Sequence, residues 1–166
     1  MSDSPASLFR RLTNGVYVVG VAHGGRSNAF TAAWITQVSF DPLLLALSIN
    51  PEHASYALLR DSQAFAVSVL KREQLDFARH FGTRSGRDSD KLAGMRWRPG
   101  EVGAPVLLDS AAHLECRVRN IVAAGDHELI FGQVIGGTIL AKGVELLSYA
   151  DTGDMDGSAE LYPPTF

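Results

Sequence analysis

The sequence contains a single cysteine among 166 residues, so no intrachain disulfide can form. A chain without disulfides is typical of a reducing compartment, and we expect a cytoplasmic protein. The segment from Met1 to Arg11 is polar and does not have the composition of a signal peptide. The longest apolar run, from Leu43 to Leu47, is far too short to span a bilayer, so no membrane segment is expected.

A strong charge of either sign is also missing. The net charge is -3 and charged residues make up 20% of the chain, which does not favour nucleic-acid binding. Hydrophobic residues make up 46%, enough for the core of one ordinary domain, expected over residues 1–166. The tail over residues 151–166 is polar and contains proline, so we expect it to be loose or to lie against a partner subunit.

The common catalytic and metal-binding motifs are absent from the sequence. It has no phosphate loop of the GxxxxGK[ST] type, no GxGxxG turn, no HExxH or CxxC motif, and no GxSxG elbow. The five histidines are widely spaced, and no metal site is expected. Cys116 falls on the apolar face of a predicted strand, where a packed thiol is expected rather than a nucleophile.

Short segments rich in β-branched residues dominate the chain. Strands are predicted over residues 16–22, 30–40, 43–49, 65–70, 110–124 and 129–140, and turns at 24–25, 41–42 and 125–127. Helices are predicted over residues 4–12, 55–59 and 73–81, the first with a left-handed stop at Asn14-Gly15. Because helices do not follow every strand, the pattern favours a mainly β fold, a closed antiparallel barrel with short α inserts.

The last two predicted strands carry the clearest patterns. Residues 113–119 alternate between a polar face and an apolar face: His113, Glu115, Arg117 and Arg119 against Leu114, Cys116 and Val118. Glycines at positions 132, 136 and 137 interrupt the last strand and predict bulges or barrel bends.

Hydroxyl and amide side chains are concentrated in what the pattern predicts to be two neighbouring strands: Asn28, Thr31, Thr36, Gln37, Ser39, Ser48 and Asn50. Taken singly, each is expected in an ordinary sheet. Trp34 in their midst would suit a planar heteroaromatic ligand that needs stacking and hydrogen bonds at its edge, or equally a core or dimer-interface anchor. These residues therefore predict a ligand groove without naming the ligand.

A second polar set follows this groove. The segment from Asn50 to Tyr56 leads into a predicted helical turn, whose free backbone N–H groups could receive an anion. Positive charge in the later loop comes from Arg84, Arg87 and Lys91, next to Ser85, although the residues alone favour a solvated loop over an anion site there. The residues alone leave the chemistry open.

The segment from Asn28 to Pro42, NAFTAAWITQVSFDP, resembles the flavin reductase-like FMN-binding family. That family has an Asn-Gly-x-Thr-x-Ser-x-x-x-x-Val-Ser-x-x-Pro-Pro pattern after its first hairpin. The similarity continues in order over roughly residues 8–150 and includes the Gly125-Asp126-His127 motif. It implies an antiparallel split β-barrel that dimerises and holds FMN near the subunit interface.

The resemblance also implies roles for individual positions in this sequence. The flavin would lie along the stretch from Asn28 to Tyr56, with its ring contacted by Thr31, Ala32, Ala33 and Trp34. Further contacts to the ring or the ribityl chain would come from Gln37, Val38 and Ser39. The phosphate would lie near Asn50, His53, Ser55 and Tyr56, and be closed over by Phe81, Arg84, Ser85 and Lys91. His127 would position the nicotinamide nucleotide.

The sequence departs from the family pattern at Ala29, Ala33 and Leu43, and its Trp34 with Gln37 is similar to the flavoredoxin-like branch. The resemblance implies an NAD(P)H-dependent flavin reductase or a flavoredoxin-type electron carrier. FMN is expected rather than FAD, with NADH or NADPH as donor, and with a monooxygenase or another electron acceptor as partner of a homodimer. The alternatives are a protein that holds FMN without turnover, and a split-barrel flavoprotein acting on a different organic substrate.

Overall fold

The structure, a computed structural model, describes residues 4–166. Within that range nine strands form: β1 Tyr17–His23, β2 Arg26–Ala32, β3 Ile35–Ser39, β4 Leu44–Ile49, β5 Ala64–Val69, β6 Trp97–Pro99, β7 Pro105–Leu107, β8 Ala112–Ala124 and β9 His127–Ile139. Three α-helices accompany them: α1 Pro5–Phe9, α2 Tyr56–Ser62 and α3 Leu75–Gly82. Two short 3-10 helices, Tyr149–Thr152 and Ser158–Leu161, complete the C-terminal segment. None of the helices over residues 4–166 is long and apolar enough to cross a membrane.

Seven of the strands form one antiparallel sheet in the order β2-β1-β5-β8-β9-β4-β3. The two end strands, β2 and β3, follow each other directly in the sequence and are separated only by Ala33 and Trp34. The sheet therefore curls until its ends approach, and the barrel is split between β2 and β3. This arrangement confirms the predicted mainly β fold, an antiparallel split barrel with short helices.

Two apolar clusters lie on opposite sides of the curved sheet. Side chains alternate across a strand, so β1 sends Val19 and Val21 into the barrel and Val18 to its outer face. The inner cluster includes Phe65 and Cys116, both fully buried. Burial raises the pKa of the Cys116 thiol to about 12, which confirms the packed thiol and argues against a nucleophile.

The glycines that predict turns and bulges lie at turns and bulges in the structure. Gly24 and Gly25 join β1 to β2 with φ angles of 58° and 78°, the left-handed geometry of a two-residue hairpin turn. The register of β8 against β9 shifts between Glu115 and Cys116 and again between Val118 and Asn120, opposite the glycines at 136 and 132. The predicted turns and bulges are thus confirmed.

Three local predictions are wrong. The extended segment over residues 30–40 breaks at Ala33 and Trp34, where the barrel opens. The groove residues therefore lie on three strands, and two of these, β2 and β3, are the opposite ends of the sheet. The first helix ends at Phe9 with Arg10 in a right-handed conformation, so no left-handed stop forms at Asn14-Gly15.

The face of β8 that was predicted to be polar is only partly exposed to solvent. His113 and Glu115 are buried, whereas Arg117 on the same face is exposed. The Glu115 carboxylate accepts a hydrogen bond from the backbone N–H of Val102 at 3.0 Å, in the hairpin that joins β6 to β7. This small hairpin covers part of β8, which no local pattern in β8 could reveal.

Gly132 is expected to be essential for packing between β8, β9 and the barrel interior. A Cβ at this position would lie 2.6 Å from the Phe65 ring and 3.0 Å from the Cys116 Cβ. Gly132→Ala should therefore lower the free energy of unfolding by about 1–3 kcal/mol, the usual cost of overpacking, in urea denaturation. Gly136→Ala is the matched control, because its Cβ would meet only Glu101 Oε2, at 4.0 Å. Equal losses in the two variants would contradict the packing described for Gly132.

Candidate flavin site at the barrel opening

The break between β2 and β3 exposes the backbone and side chain of Trp34. Its carbonyl oxygen accepts a hydrogen bond from the Ser48 N–H at 3.0 Å, which holds the chain against β4. The indole ring remains 44% exposed and lies 5.1 Å from the His127 imidazole, measured between ring centroids. A large aromatic face is thus held at the opening by backbone bonds and remains accessible to a ligand.

A cleft of about 240 Å³ surrounds this point, and we call it the ring cleft. Its walls come from the end of β2, the start of the β4–α2 loop, the first residue of β9 and the C-terminal segment: Phe30, Thr31, Ala32, Ala33, Trp34, Ser48, Ile49, Asn50, His53, His127, Tyr149, Asp156, Ser158 and Leu161. The sequence-predicted residues Thr31 to Trp34, Asn50, His53 and His127 are therefore brought together here.

A second cleft, the polar cleft, has a volume of about 420 Å³ and lies at the other end of β2. Its walls come from β2, the β4–α2 loop, α2 and the loop after α3: Arg26, Ser27, Asn28, Ala54, Leu58, Gly86, Arg87, Asp88, Ser89 and Asp90. β2 contributes residues 26–28 to the polar cleft and residues 30–32 to the ring cleft, so one strand connects the two.

Asn28 and Gly86 fix the floor of the polar cleft. The Asn28 amide nitrogen donates to the Ser55 Oγ at 2.8 Å, and both side chains are buried. Gly86 lies directly over this pair, since a Cβ there would stand 2.1 Å from Asn28 Nδ2. The guanidinium of Arg87 donates to the Glu52 carbonyl at 3.0 Å, which ties the loop to the β4–α2 connection.

Lys91 carries a buried positive charge directly after the loop that lines the polar cleft. Its side chain is only 2% exposed, and Nζ donates to the Phe81 carbonyl at 3.0 Å. Over residues 4–166 no carboxylate forms an ion pair with it. Burial lowers the pKa of Lys91 to about 8, so the ammonium is a partly desolvated cation without a counter-charge.

His53 is held as a neutral imidazole in the ring cleft. One face of its ring packs on Phe30 at 4.6 Å, and its Nδ1 accepts the Ser55 N–H at 3.2 Å. Desolvation and the nearby charges of Lys91 and Arg87 lower the pKa of His53 to about 4. With Nδ1 as acceptor, Nε2 carries the proton, and the side chain offers a neutral donor.

The lowered pKa of His53 predicts a dependence of stability on pH. Below its ordinary value of 6.5 the unfolded chain takes up a proton that the folded chain does not accept until about pH 4. The contribution of neutral His53 to the free energy of unfolding is therefore fully present above pH 6.5 and is lost as the pH falls towards 4. His53→Asn should lose less stability than the native protein between neutral pH and about pH 5 in urea titrations. His23→Asn, in the exposed β1–β2 hairpin, should behave as the native protein does; a similar change in both variants would contradict the assignment.

His127 stands at the start of β9 opposite Trp34. Its Nδ1 lies 2.7 Å from a carboxylate oxygen of Asp126, which orients the ring. The same hydrogen bond lowers the pKa of the exposed Asp126 carboxylate. The Gly-Asp-His motif thus forms a turn in which the aspartate holds the histidine beside the ring cleft.

Several sequence-predicted residues lie outside both clefts. Gln37, Val38 and Ser39 lie further along β3, and Phe81 is buried in the outer core. The Tyr56 hydroxyl bonds to the Glu128 carboxylate, and Ser55 lies beneath Asn28. Arg84 is exposed in the loop after α3, and Ser85 accepts the Arg87 N–H through its hydroxyl. A contact of any of these with a cofactor stays a prediction.

The C-terminal segment supplies cleft residues that the sequence did not predict. Tyr149 donates to Asp156 or Ser158, at 3.0 and 2.8 Å, which folds the segment over the ring cleft. Tyr162 packs on Phe9 at 5.6 Å between ring centroids. The segment thus lies on its own chain, and no short-range signal in the sequence indicates where it packs. A contact between this segment and a partner subunit stays a prediction.

Comparison with known proteins identifies the family. Residues 9–157 match the model of the flavin reductase like domain. The chain belongs to this family. The predicted flavin-binding oxidoreductase class is thereby confirmed.

Individual relatives agree with this assignment. The chain is 36% identical over 158 residues to a high molecular weight rubredoxin of Moorella thermoacetica, covering 93% of this chain and 69% of that protein. It spans only about a quarter of the diflavin flavoproteins that it also matches.

Solved structures show the same fold. The NADH:FAD oxidoreductase SgcE6 of Streptomyces globisporus C-1027 has a TM-score of 0.81 at 32% identity, with 87% of this chain and 86% of that chain covered. An FMN-binding protein of Thermus thermophilus has a TM-score of 0.80 at 28% identity, with 90% and 88% covered.

Proposed function

We propose that this protein binds FMN with its phosphate in the polar cleft and its ring in the ring cleft, and that NAD(P)H reduces it. The observation that carries the proposal is the single strand β2, which lines both clefts. Asn28 and Thr31 are three residues apart on this strand, about 10 Å at the usual rise, a span suited to an extended sugar-alcohol chain. The proposal includes the electron donor, which is NADH or NADPH.

The polar cleft fits a phosphate. Arg26 and Arg87 line it, Lys91 directly follows its wall residue Asp90 in the chain, and Ser27 and Ser89 add hydroxyl groups. Asp88 and Asp90 also line the cleft, but the Asp90 carboxylate accepts the Leu92 N–H at 3.0 Å and is turned towards its own loop. A phosphate would receive charge-assisted hydrogen bonds from Arg87 and relieve the unpaired charge of Lys91. These residues favour FMN over riboflavin.

The ring cleft fits a neutral planar group. Trp34 supplies an aromatic face, and His53 supplies a neutral donor. The Thr31 hydroxyl donates to the Ala78 carbonyl at 2.8 Å, so its side chain is engaged and the backbone of residues 31–34 is the better contact for a ring. When bound, FMN supplies two-electron redox chemistry. Donors that are already fixed in place would stabilise negative charge on the ring without reorganising, and no general acid is needed among these residues.

The nicotinamide would approach from the side of His127. Asp126 holds that imidazole in place next to Trp34, so His127 acts as a positioning group. Mixing FMN-loaded protein with NADH without oxygen tests the reaction. Loss of the flavin's visible absorption within seconds is expected for a reductase. An unchanged spectrum over many minutes with both NADH and NADPH would leave the protein as an FMN carrier without turnover.

The assembly we propose is a homodimer of one-domain chains over residues 1–166, acting in the cytoplasm. Exposed apolar side chains support it, since Leu43, Ile135 and Ile139 line one groove along β8 and β9 and Phe40, three residues before Leu43, is 90% exposed. Burying such a patch is the usual role of a second subunit. Light scattering after gel filtration should give twice the chain mass; a monomer at micromolar concentration would contradict the dimer. A monooxygenase component is one candidate electron acceptor.

A further inference from the structure

A third cleft adjoins the ring cleft on the far side of Trp34. It has a volume of about 450 Å³, and we call it the apolar cleft. Aromatic and aliphatic side chains form most of its walls: Phe9, Leu12, Trp34, Ile35, Tyr149 and Tyr162. Its volume lies in the range of pockets that enclose small organic ligands.

None of the described residues that line the apolar cleft carries a charge. In the surrounding segments Arg10 and Asp154 pair with each other at 2.8 Å, and the Asp156 carboxylate accepts a hydrogen bond from the Tyr149 hydroxyl at 3.0 Å. Polar groups are limited to neutral amides and hydroxyls, such as Asn14, Thr36 and Ser48. A phosphate or carboxylate would therefore lose its hydration there without gaining a cation, whereas a neutral ring would lose little.

The apolar cleft adjoins the proposed flavin site, and segments near both ends of the chain form part of its walls. Trp34, Ser48 and Tyr149 line the apolar cleft and the ring cleft alike. The Phe9–Tyr162 contact fixes its outer wall, and the Arg10–Asp154 pair ties α1 to the C-terminal segment. A ligand in the apolar cleft would therefore lie next to the flavin ring.

We propose that the apolar cleft binds a neutral compound of one or two rings, of the quinone class, as electron acceptor. Its role as acceptor rests on the proposed flavin function, whereas binding does not. A quinone takes up two electrons and two protons to become a hydroquinone. NAD(P)H supplies both electrons and one proton as hydride by way of the flavin, and solvent supplies the second proton, leaving NAD(P)+.

Binding is tested by fluorescence in a Trp97→Phe background, in which Trp34 is the sole remaining tryptophan of the two. 1,4-Naphthoquinone should quench the fluorescence of Trp34 to saturation in protein without FMN, and isothermal titration calorimetry should give a similar affinity in FMN-loaded protein, in which the flavin itself quenches Trp34. 1,2-Naphthoquinone-4-sulfonate, which carries a negative charge, should bind at least about tenfold more weakly, because the cleft offers no cation. Quenching that does not saturate, equal affinity for the two quinones, or competition by FMN for the same cleft would each overturn the proposal.

Two exposed leucines of the N-terminal segment provide a matched pair of variants. Leu12 lines the apolar cleft, whereas Leu8, one helical turn earlier, does not, and they are 60% and 44% exposed. Leu12→Glu should weaken naphthoquinone binding by about tenfold or more, and Leu8→Glu by less than about twofold. Equal effects would overturn the assignment of the site.

FMN titration of the same proteins separates this proposal from the proposed function. Saturable naphthoquinone binding by a protein that takes up no FMN would support ligand binding in the apolar cleft. It would contradict the role of this cleft as an electron-acceptor site. FMN uptake without naphthoquinone binding would overturn the apolar cleft and leave the flavin site intact.

Discussion

Replacing Arg87 with alanine and Lys91 with methionine should weaken FMN binding by about a hundredfold and riboflavin binding by less than about threefold. A hydrogen bond to a charged group contributes about 1.5–3 kcal/mol, and 1.4 kcal/mol is a factor of ten in affinity. Arg87 lines the polar cleft and Lys91, a buried cation, directly follows Asp90 of its wall, so in the proposed binding mode both losses act on the phosphate. Methionine preserves the packing of the buried lysine stem. Fluorescence titration with the two flavins measures the difference.

Arg79→Ala is the control for this experiment, because Arg79 is an exposed cation on α3 that pairs with Asp76 at 3.5 Å. It should bind both flavins as the native protein does. Arg84→Ala alone then decides whether the sequence-predicted Arg84, which lies in the loop but outside the polar cleft, contributes. A double variant that loses both flavins equally would contradict a phosphate in the polar cleft.

Trp34→Ala should weaken FMN and riboflavin to the same extent, by about tenfold or more. In the proposed binding mode the indole face contacts the ring and not the phosphate, and loss of an aromatic pair with its buried area is worth about 1.5–3 kcal/mol. Because Trp34 is 44% exposed, the fold should not depend on it, and thermal unfolding of the variant should match the native protein. Trp34→Phe should recover most of the affinity for both flavins in isothermal titration calorimetry.

The two experiments together determine the direction in which the flavin lies. Selective loss at Arg87 and Lys91 with uniform loss at Trp34 fits a flavin that runs along β2 from the polar cleft to the ring cleft. If Trp34→Ala affected only FMN, the phosphate would have to lie at the barrel opening, and the proposed direction would be reversed.

Much of the fold could be predicted from local signals. Gly24-Gly25 and Gly125 require left-handed backbone in their turns, and the structure has φ angles of 58°, 78° and 67° there. Hairpin turns and apolar alternation act within a few residues, so a sequence pattern contains them. The break at Ala33-Trp34 has no such signal, because closure of the whole sheet decides where its two ends stop pairing.

The candidate site, like the fold, could be predicted from the sequence only in part. Thr31 to Trp34, His53 and His127 were predicted and lie together in one cleft. Arg87 was noted in the sequence as part of the loop's charge, yet only the structure distinguishes it from Arg84 by its place in the polar cleft. The burial of His113 and Glu115 follows from a hairpin distant in sequence.

FMN binding at the opening between β2 and β3 can be measured on the native protein without any substitution. The most direct measurement is the absorption spectrum of protein mixed with excess FMN and then separated from free flavin by gel filtration. We expect the flavin's visible absorption to elute with the native protein and to be strongly reduced in the Trp34→Ala variant and in the Arg87→Ala, Lys91→Met double variant. A native protein that elutes without flavin absorption would contradict FMN binding at this opening.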